Sequence, residues 1–146
     1  MPKYIKADQF FYPQGIRQGG YLEIKDGKFG KLVKEVPADA EVIDYTGYSI
    51  APGLVDTHIH GFGGVDVMDN NIEGTLHTMS DGLLTTGVTS FLPTTLTSSY
   101  ELLLAVTENI GAHYQEATGA KIRGLYFEGP YFTEKYKGAQ NPSYMK

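Results

Sequence analysis

Two histidines one residue apart, His58 and His60, and one carboxylate, Glu128, have the types and placement to do chemistry. His58-Ile59-His60 closes a short, mostly apolar run that starts at Leu54 and reads as a buried strand. In extended backbone alternate side chains share a face, so His58 and His60 point one way and Ile59 the other. Two imidazoles about 6.5–7 Å apart along the backbone can converge on one divalent cation. Glu128 follows the apolar Leu125-Tyr126-Phe127 and precedes Gly129-Pro130. Proline has no amide to give a ladder, so a strand arriving here must end and leave Glu128 at its mouth. There it is a hard oxygen ligand available to join the histidine pair. The plain alternatives are two ordinary strand-end histidines and a solvated glutamate.

Other features carry less. Gly61-Phe62-Gly63-Gly64 allows a tight turn or a close backbone approach to a ligand. Asp66 and Asp69 suit a helix N-terminus better than an outer layer around a metal. His77 and His113 fall inside helical patterns and receive no function. Lys137-Gly138-Ala139-Gln140-Asn141-Pro142 reads as a loop in which Gln140 or Asn141 can hydrogen-bond a sugar hydroxyl or an amide.

The elements that position these residues can be read from patterning. In the first 50 residues, Gln9–Tyr12 is a strand closed by Pro13. Tyr21–Ile24 and Phe29–Val33 flank Asp26-Gly27, a two-residue hairpin signal, and Glu41–Tyr45 is a further strand. Residues 1–50 are therefore expected to form a small all-β, sandwich-like domain. After Pro52-Gly53 strands and helices alternate. Ile72, Leu76, Met79 and Leu83 share a helical face, with Asn70 or Asn71 as cap and Gly87 as stop. Val88–Leu92 is the next strand, reaching Pro93-Thr94-Thr95. Ser98-Ser99-Tyr100-Glu101 fits a capping box for a second helix lined by Leu103, Val106 and Ile110 and ended by Gly119. Ile122–Phe127 is a third strand.

His58 and Thr94 are 36 residues apart, and Thr94 and Glu128 are 34 apart. A (β/α)₈ barrel has about 31 residues per unit. Residues 51–146 thus read as the first three βα units of a partial (β/α)₈ TIM barrel, an α/β architecture cut after its third strand. Three units cannot close a barrel, so the chain is expected to be the N-terminal part of a larger protein.

Composition narrows the function. The chain has 146 residues, 41% hydrophobic and 20% charged, with a formal charge of -5. It has no basic run, which argues against nucleic acid and anionic membrane as partners. With no cysteine there is no disulfide framework and no thiolate metal site. No apolar run is long enough to cross a bilayer and the N-terminus lacks an apolar signal region, so a cytoplasmic protein is expected.

Ala51-Pro52-Gly53-Leu54-Val55-Asp56-Thr57-His58-Ile59-His60-Gly61 resembles the first-strand signature of the amidohydrolase superfamily. Gly87–Thr95, Gly124–Phe132 and Lys137–Pro142 narrow the resemblance to the N-acetylglucosamine-6-phosphate deacetylase family, across essentially the whole chain. The resemblance implies a (β/α)₈ barrel with a small β-domain. It implies hydrolysis of N-acetylglucosamine 6-phosphate to acetate and glucosamine 6-phosphate, with one or two divalent ions, zinc or iron, in a homodimer. It makes Glu128 a metal ligand. It makes His58 and His60 a pair that holds a second metal in some members. Ala139 and Gln140 match the loop that contacts the sugar, where some members carry His in place of Gln140. The resemblance puts the catalytic aspartate and two further ligand histidines on later strands, outside residues 1–146, so this chain alone is expected to be inactive. The alternatives are another amidohydrolase, such as a cyclic-amide hydrolase of the dihydroorotase type with a carboxylated lysine in place of the glutamate, or a non-catalytic fragment.

Overall fold

The computed structural model describes residues 2–69 and 72–146. The chain divides into two units, residues 1–52 and 53–146.

The first unit is built on one long strand, β1 (Lys3–Tyr12), which extends well before the expected Gln9. Its two halves pair antiparallel with different partners, β2 (Gly15–Gln18) and β3 (Tyr21–Lys25). β4 (Lys28–Val33) continues from β3, and β5 (Glu41–Ile50) pairs β1 in parallel. Asp26 and Gly27 both have positive φ, 52° and 69°, as a two-residue primed turn requires. The β1–β5 register slips at Asp8, between Ala7 and Gln9. Thr46, Gly47 and Tyr48 of β5 stand opposite Asp8 alone, and along β1 the inward face switches there, so Ile5 and Ala7 before it and Phe10 and Tyr12 after it join one core with Leu22. All five strands belong to one sheet, so the expectation of a sandwich holds for its all-β character and not for a second facing sheet. The reason is the length of β1, which lets partners line up end to end along it.

The second unit alternates strands and helices. β6 (Leu54–Ile59) leads through a small hairpin, β7 (Gly61–Phe62) and β8 (Val65–Asp66), to α1 (Ile72–Leu84). β9 (Val88–Thr95), α2 (Tyr100–His113), β10 (Lys121–Ile122) and β11 (Tyr126–Phe127) follow. β9 is central, with β6 parallel on one side and β10 and β11 parallel on the other. Leu76, Met79 and Leu83 of α1 and Val106 and Ile110 of α2 are buried in one core with Phe91 of β9. The expected caps Asn70 and Asn71, and the side chain of Ile72, lie outside the described residues.

Four local expectations are corrected. β6 is not buried: it is an edge strand with one neighbour, and Leu54 and Val55 are each 62% exposed. The third strand is split, because after β10 the amide of Arg123 still reaches the Phe91 carbonyl but ladder pairing resumes only at Tyr126. Helix α2 is capped by Ser99, whose hydroxyl accepts from the Leu102 amide, and not by Ser98. It ends at His113, six residues before Gly119. Gly119 instead permits a close approach of two segments. A β-carbon there would meet the Ser80 carbonyl, and the next amide, Ala120, donates to that carbonyl at 2.9 Å. Among the described residues no helix is long and apolar enough to cross a membrane.

Candidate metal centre

β6 and β11 bring their C-terminal ends to the same end of β9. Ile59 turns into the core of the second unit, so the histidines on either side of it face the other way. The pairing of β6 with β9 is irregular between Asp56 and Ile59, and His58 sits in that irregularity. The Asp56 carboxylate accepts from the His58 amide at 3.0 Å and fixes it.

The three expected donors meet. His58 Nε2 lies 3.3 Å from His60 Nε2 and 3.1 Å from Glu128 Oε2. His60 Nε2 lies 2.8 Å from the same carboxylate oxygen. Donors on a tetrahedral ion at about 2.0–2.1 Å stand about 3.3 Å apart, so this triangle needs only slight spreading to surround one cation. Three protein donors would leave a fourth position open, the pattern of catalytic rather than structural sites. The side chains of His58, His60 and Glu128 keep 46%, 33% and 27% exposure, so the cluster is reachable from solvent.

Neighbouring groups set its orientation. His60 Nδ1 is 3.0 Å from the Thr94 carbonyl. A carbonyl only accepts, so Nδ1 carries a proton and Nε2 is the ring nitrogen presented to Glu128 and His58, where a cation would take it as a ligand. The fully buried Thr94 hydroxyl accepts from the Ile59 amide at 2.9 Å and donates to the Leu92 carbonyl at 3.0 Å. The His58 ring leans on Tyr126, with centroids 5.1 Å apart. The role of Thr94 is not evident from sequence. Its signal is only a polar residue at the end of an apolar strand, two βα units deep in the pattern.

Glu128 is held by its backbone. Its amide donates to the Thr95 carbonyl at 3.3 Å. Gly129 has φ +94°, and a β-carbon there would meet the Thr97 hydroxyl, so glycine is needed on both counts. Gln140 is buried, and its side-chain oxygen accepts from the Thr97 amide at 2.8 Å. Ala139 beside it is exposed. Among the described residues Asp66 and Asp69 bond within their own turn: the Asp66 carboxylate accepts from the Met68 amide and the Asp69 carboxylate from the Asp66 amide, both at 2.8 Å. His77 and His113 do not join the cluster.

No protein-family model matches the chain. It is 40% identical over 108 residues to the N-acetylglucosamine-6-phosphate deacetylase of Vibrio furnissii, covering 73% of this chain and 27% of that protein. This chain is related to the N-acetylglucosamine-6-phosphate deacetylases. The corresponding Bacillus subtilis (strain 168) deacetylase is 34% identical over 138 residues, 90% of this chain and 35% of its own length. An N-acetylgalactosamine-6-phosphate deacetylase of Escherichia coli O157:H7 is 32% identical over 147 residues, 100% of this chain and 38% of its own. The crystal structure of the Pasteurella multocida N-acetylglucosamine-6-phosphate deacetylase superposes with a TM-score of 0.89 at 26% identity, covering 100% of this chain and 39% of that one. The chain thus spans well under half the length of the deacetylases it matches.

Proposed function

We propose that residues 1–146 are the N-terminal portion of a metal-dependent deacetylase that hydrolyses N-acetylglucosamine 6-phosphate to acetate and glucosamine 6-phosphate. The observation that carries this reading is the convergence of His58, His60 and Glu128 within 2.8–3.3 Å. These donors come from two separate parallel strands at their C-terminal ends, the rim where barrel enzymes place their chemistry. On this reading the second unit, residues 53–146, is the first three βα units of a (β/α)₈ barrel. Exposed Leu54, Val55 and Phe127 are then sheet residues that later strands cover.

Two imidazole nitrogens and a carboxylate oxygen suit a zinc- or iron-class divalent ion. Because Glu128 Oε2 is within 3.1 Å of both imidazoles, the three donors are assigned to one shared ion. When bound, that ion supplies Lewis-acid polarisation of the acetyl carbonyl and activation of the attacking water. The chain's own residues orient this chemistry. Thr94 fixes the His60 tautomer, Asp56 fixes His58, and Gly129 with Thr97 fixes the Glu128 backbone. Water adds to the carbonyl carbon, the C–N bond breaks, the sugar amine takes a proton and acetate leaves. The proton carrier is assigned to an aspartate outside residues 1–146.

The exposed backbone at Ala139 is assigned to the sugar, with Gln140 holding the loop through Thr97. The protein is assigned to the cytoplasm, where phosphorylated sugars are metabolised, as a homodimer. A cyclic-amide hydrolase of the dihydroorotase type is disfavoured because a glutamate, and not a modified lysine, completes the cluster. The galactosamine relative favours a second reading, the C4-epimeric substrate. The test is acetate release from both sugar phosphates by the complete gene product, as wild type and as E128Q. Loss of activity in E128Q supports the reading, and the preferred epimer names the substrate. Undiminished activity in E128Q overturns it.

A further inference from the structure

A second set of donors lies on the helical side of the second unit. Glu73 and His77 are one turn apart on α1 and therefore share a face. Glu116 lies in the turn that follows α2. One ligand atom from each of the three lies within 4.8 Å of the others. None of these residues belongs to the His58–His60–Glu128 cluster.

The three approach without satisfying one another. Among the described residues, the side chains of Glu73 and His77 have no hydrogen bond or ion pair. Glu116 Oε2 meets His113 Nδ1 at 2.9 Å, which orients that carboxylate from behind. Two carboxylates this close repel unless something positive stands between them. Their backbones cannot drift apart freely, because α1 and α2 are joined through the shared core of Leu76, Met79, Val106 and Ile110. An imidazole and two carboxylates brought within 4.8 Å of one another, from two elements packed on one core, are more than an acidic patch. It is a nitrogen–oxygen–oxygen set suited to a borderline divalent ion.

We propose that Glu73, His77 and Glu116 bind a zinc-class divalent cation that cross-links α1 to the turn after α2. Glu73 and Glu116 supply oxygen, His77 supplies nitrogen, and water completes the coordination. An ion that binds the folded state and not the unfolded chain stabilises the fold. The site therefore adds thermal stability without taking part in hydrolysis. It does not rest on the deacetylase reading.

The experiment is equilibrium dialysis of the protein against zinc chloride, with elemental analysis, on wild type, H77Q, E116Q and the triple variant H58Q/H60Q/E128Q. The expected result is one equivalent fewer in H77Q and in E116Q than in wild type, at low-micromolar free zinc. The triple variant should keep that equivalent, and zinc should raise its unfolding temperature. Adding H77Q to the triple variant should abolish the rise. All five altered residues are at least partly exposed, so the fold is expected to survive. Equal stoichiometry in wild type, H77Q and E116Q overturns the proposal. So does binding that appears only at millimolar zinc.

Discussion

The imidazole of His60 is held from behind by the backbone of Thr94: Nδ1 and the carbonyl oxygen are 3.0 Å apart. The same Thr94 holds the neighbouring amide of Ile59 through its hydroxyl, at 2.9 Å. One buried residue on the central strand thus sets both the tautomer and the position of a donor on the next strand.

Thr94→Val keeps the shape and removes the hydroxyl. It leaves the Ile59 amide without its partner, a loss of about 1–3 kcal/mol where that amide is buried. The His60 ring keeps its orienting partner, the Thr94 backbone carbonyl, while Ile59 beside it loses its tether, so metal affinity should fall by less than the ~10–100-fold that follows removal of an orienting partner itself. Chemical denaturation and metal titration of the same variant check both numbers. A variant that loses stability and keeps full affinity would make Thr94 a purely structural residue.

Gln140→Ala should act on the fold of the loop. Gln140 and Thr97 are both buried, 6% exposed each, so the Thr97 amide would be left unpaired. The expected cost is about 1–3 kcal/mol in denaturant unfolding. Gln140→Glu keeps an acceptor for that amide and should recover part of the loss.

Gly119→Ala places a methyl group against the Ser80 carbonyl and the Asp81 amide. Ser80 also donates its hydroxyl to the Ala120 carbonyl at 3.0 Å, so the segment cannot step away without breaking two bonds. A loss of about 1–3 kcal/mol is expected, in the range of overpacked sites. Gly111→Ala, where a β-carbon meets nothing, is the control and should be neutral or slightly stabilising.

In the first unit the Asp44 carboxyl is pushed down to about 2. The Thr46 hydroxyl is the largest cause, followed by the Thr46 amide and then Lys6, at 2.6, 2.8 and 3.0 Å. A depressed folded-state value means that the unfolded chain takes up the proton first as pH falls. The contribution of Asp44 is therefore complete above its ordinary value of 3.8 and is lost as pH drops from there toward about 2. Carboxyl NMR titration should place the midpoint near that lower figure. Thr46→Val should raise it more than Lys6→Met does.

How much of the fold and the site is legible in the sequence follows from the range of the forces involved. His58, His60 and Glu128 can be singled out because strand alternation and the Gly129-Pro130 stop are local rules. The buried faces of α1 and α2 follow from helical period for the same reason. β2 is not legible, since all four of its residues are exposed and carry no apolar alternation. The slip at Asp8 is hidden because it depends on how β5 pairs with β1. The break between β10 and β11 is set by partners on β9, and the meeting of Glu73 and His77 with Glu116 is set by helix packing. Gln140 reads as a sugar contact in the sequence because a polar loop residue looks the same whether it faces a ligand or a buried amide.

The most direct test of the metal assignment is zinc X-ray absorption on H77Q/E116Q protein, which removes the second candidate site, compared with the same protein carrying E128Q. The expected result is a zinc ion surrounded by two imidazole nitrogens and carboxylate or water oxygen at about 2.0–2.1 Å. That signal should disappear, with the bound zinc, when E128Q is added. A spectrum without histidine scattering, or full zinc occupancy in the E128Q protein, would contradict the assignment of His58, His60 and Glu128 to one metal.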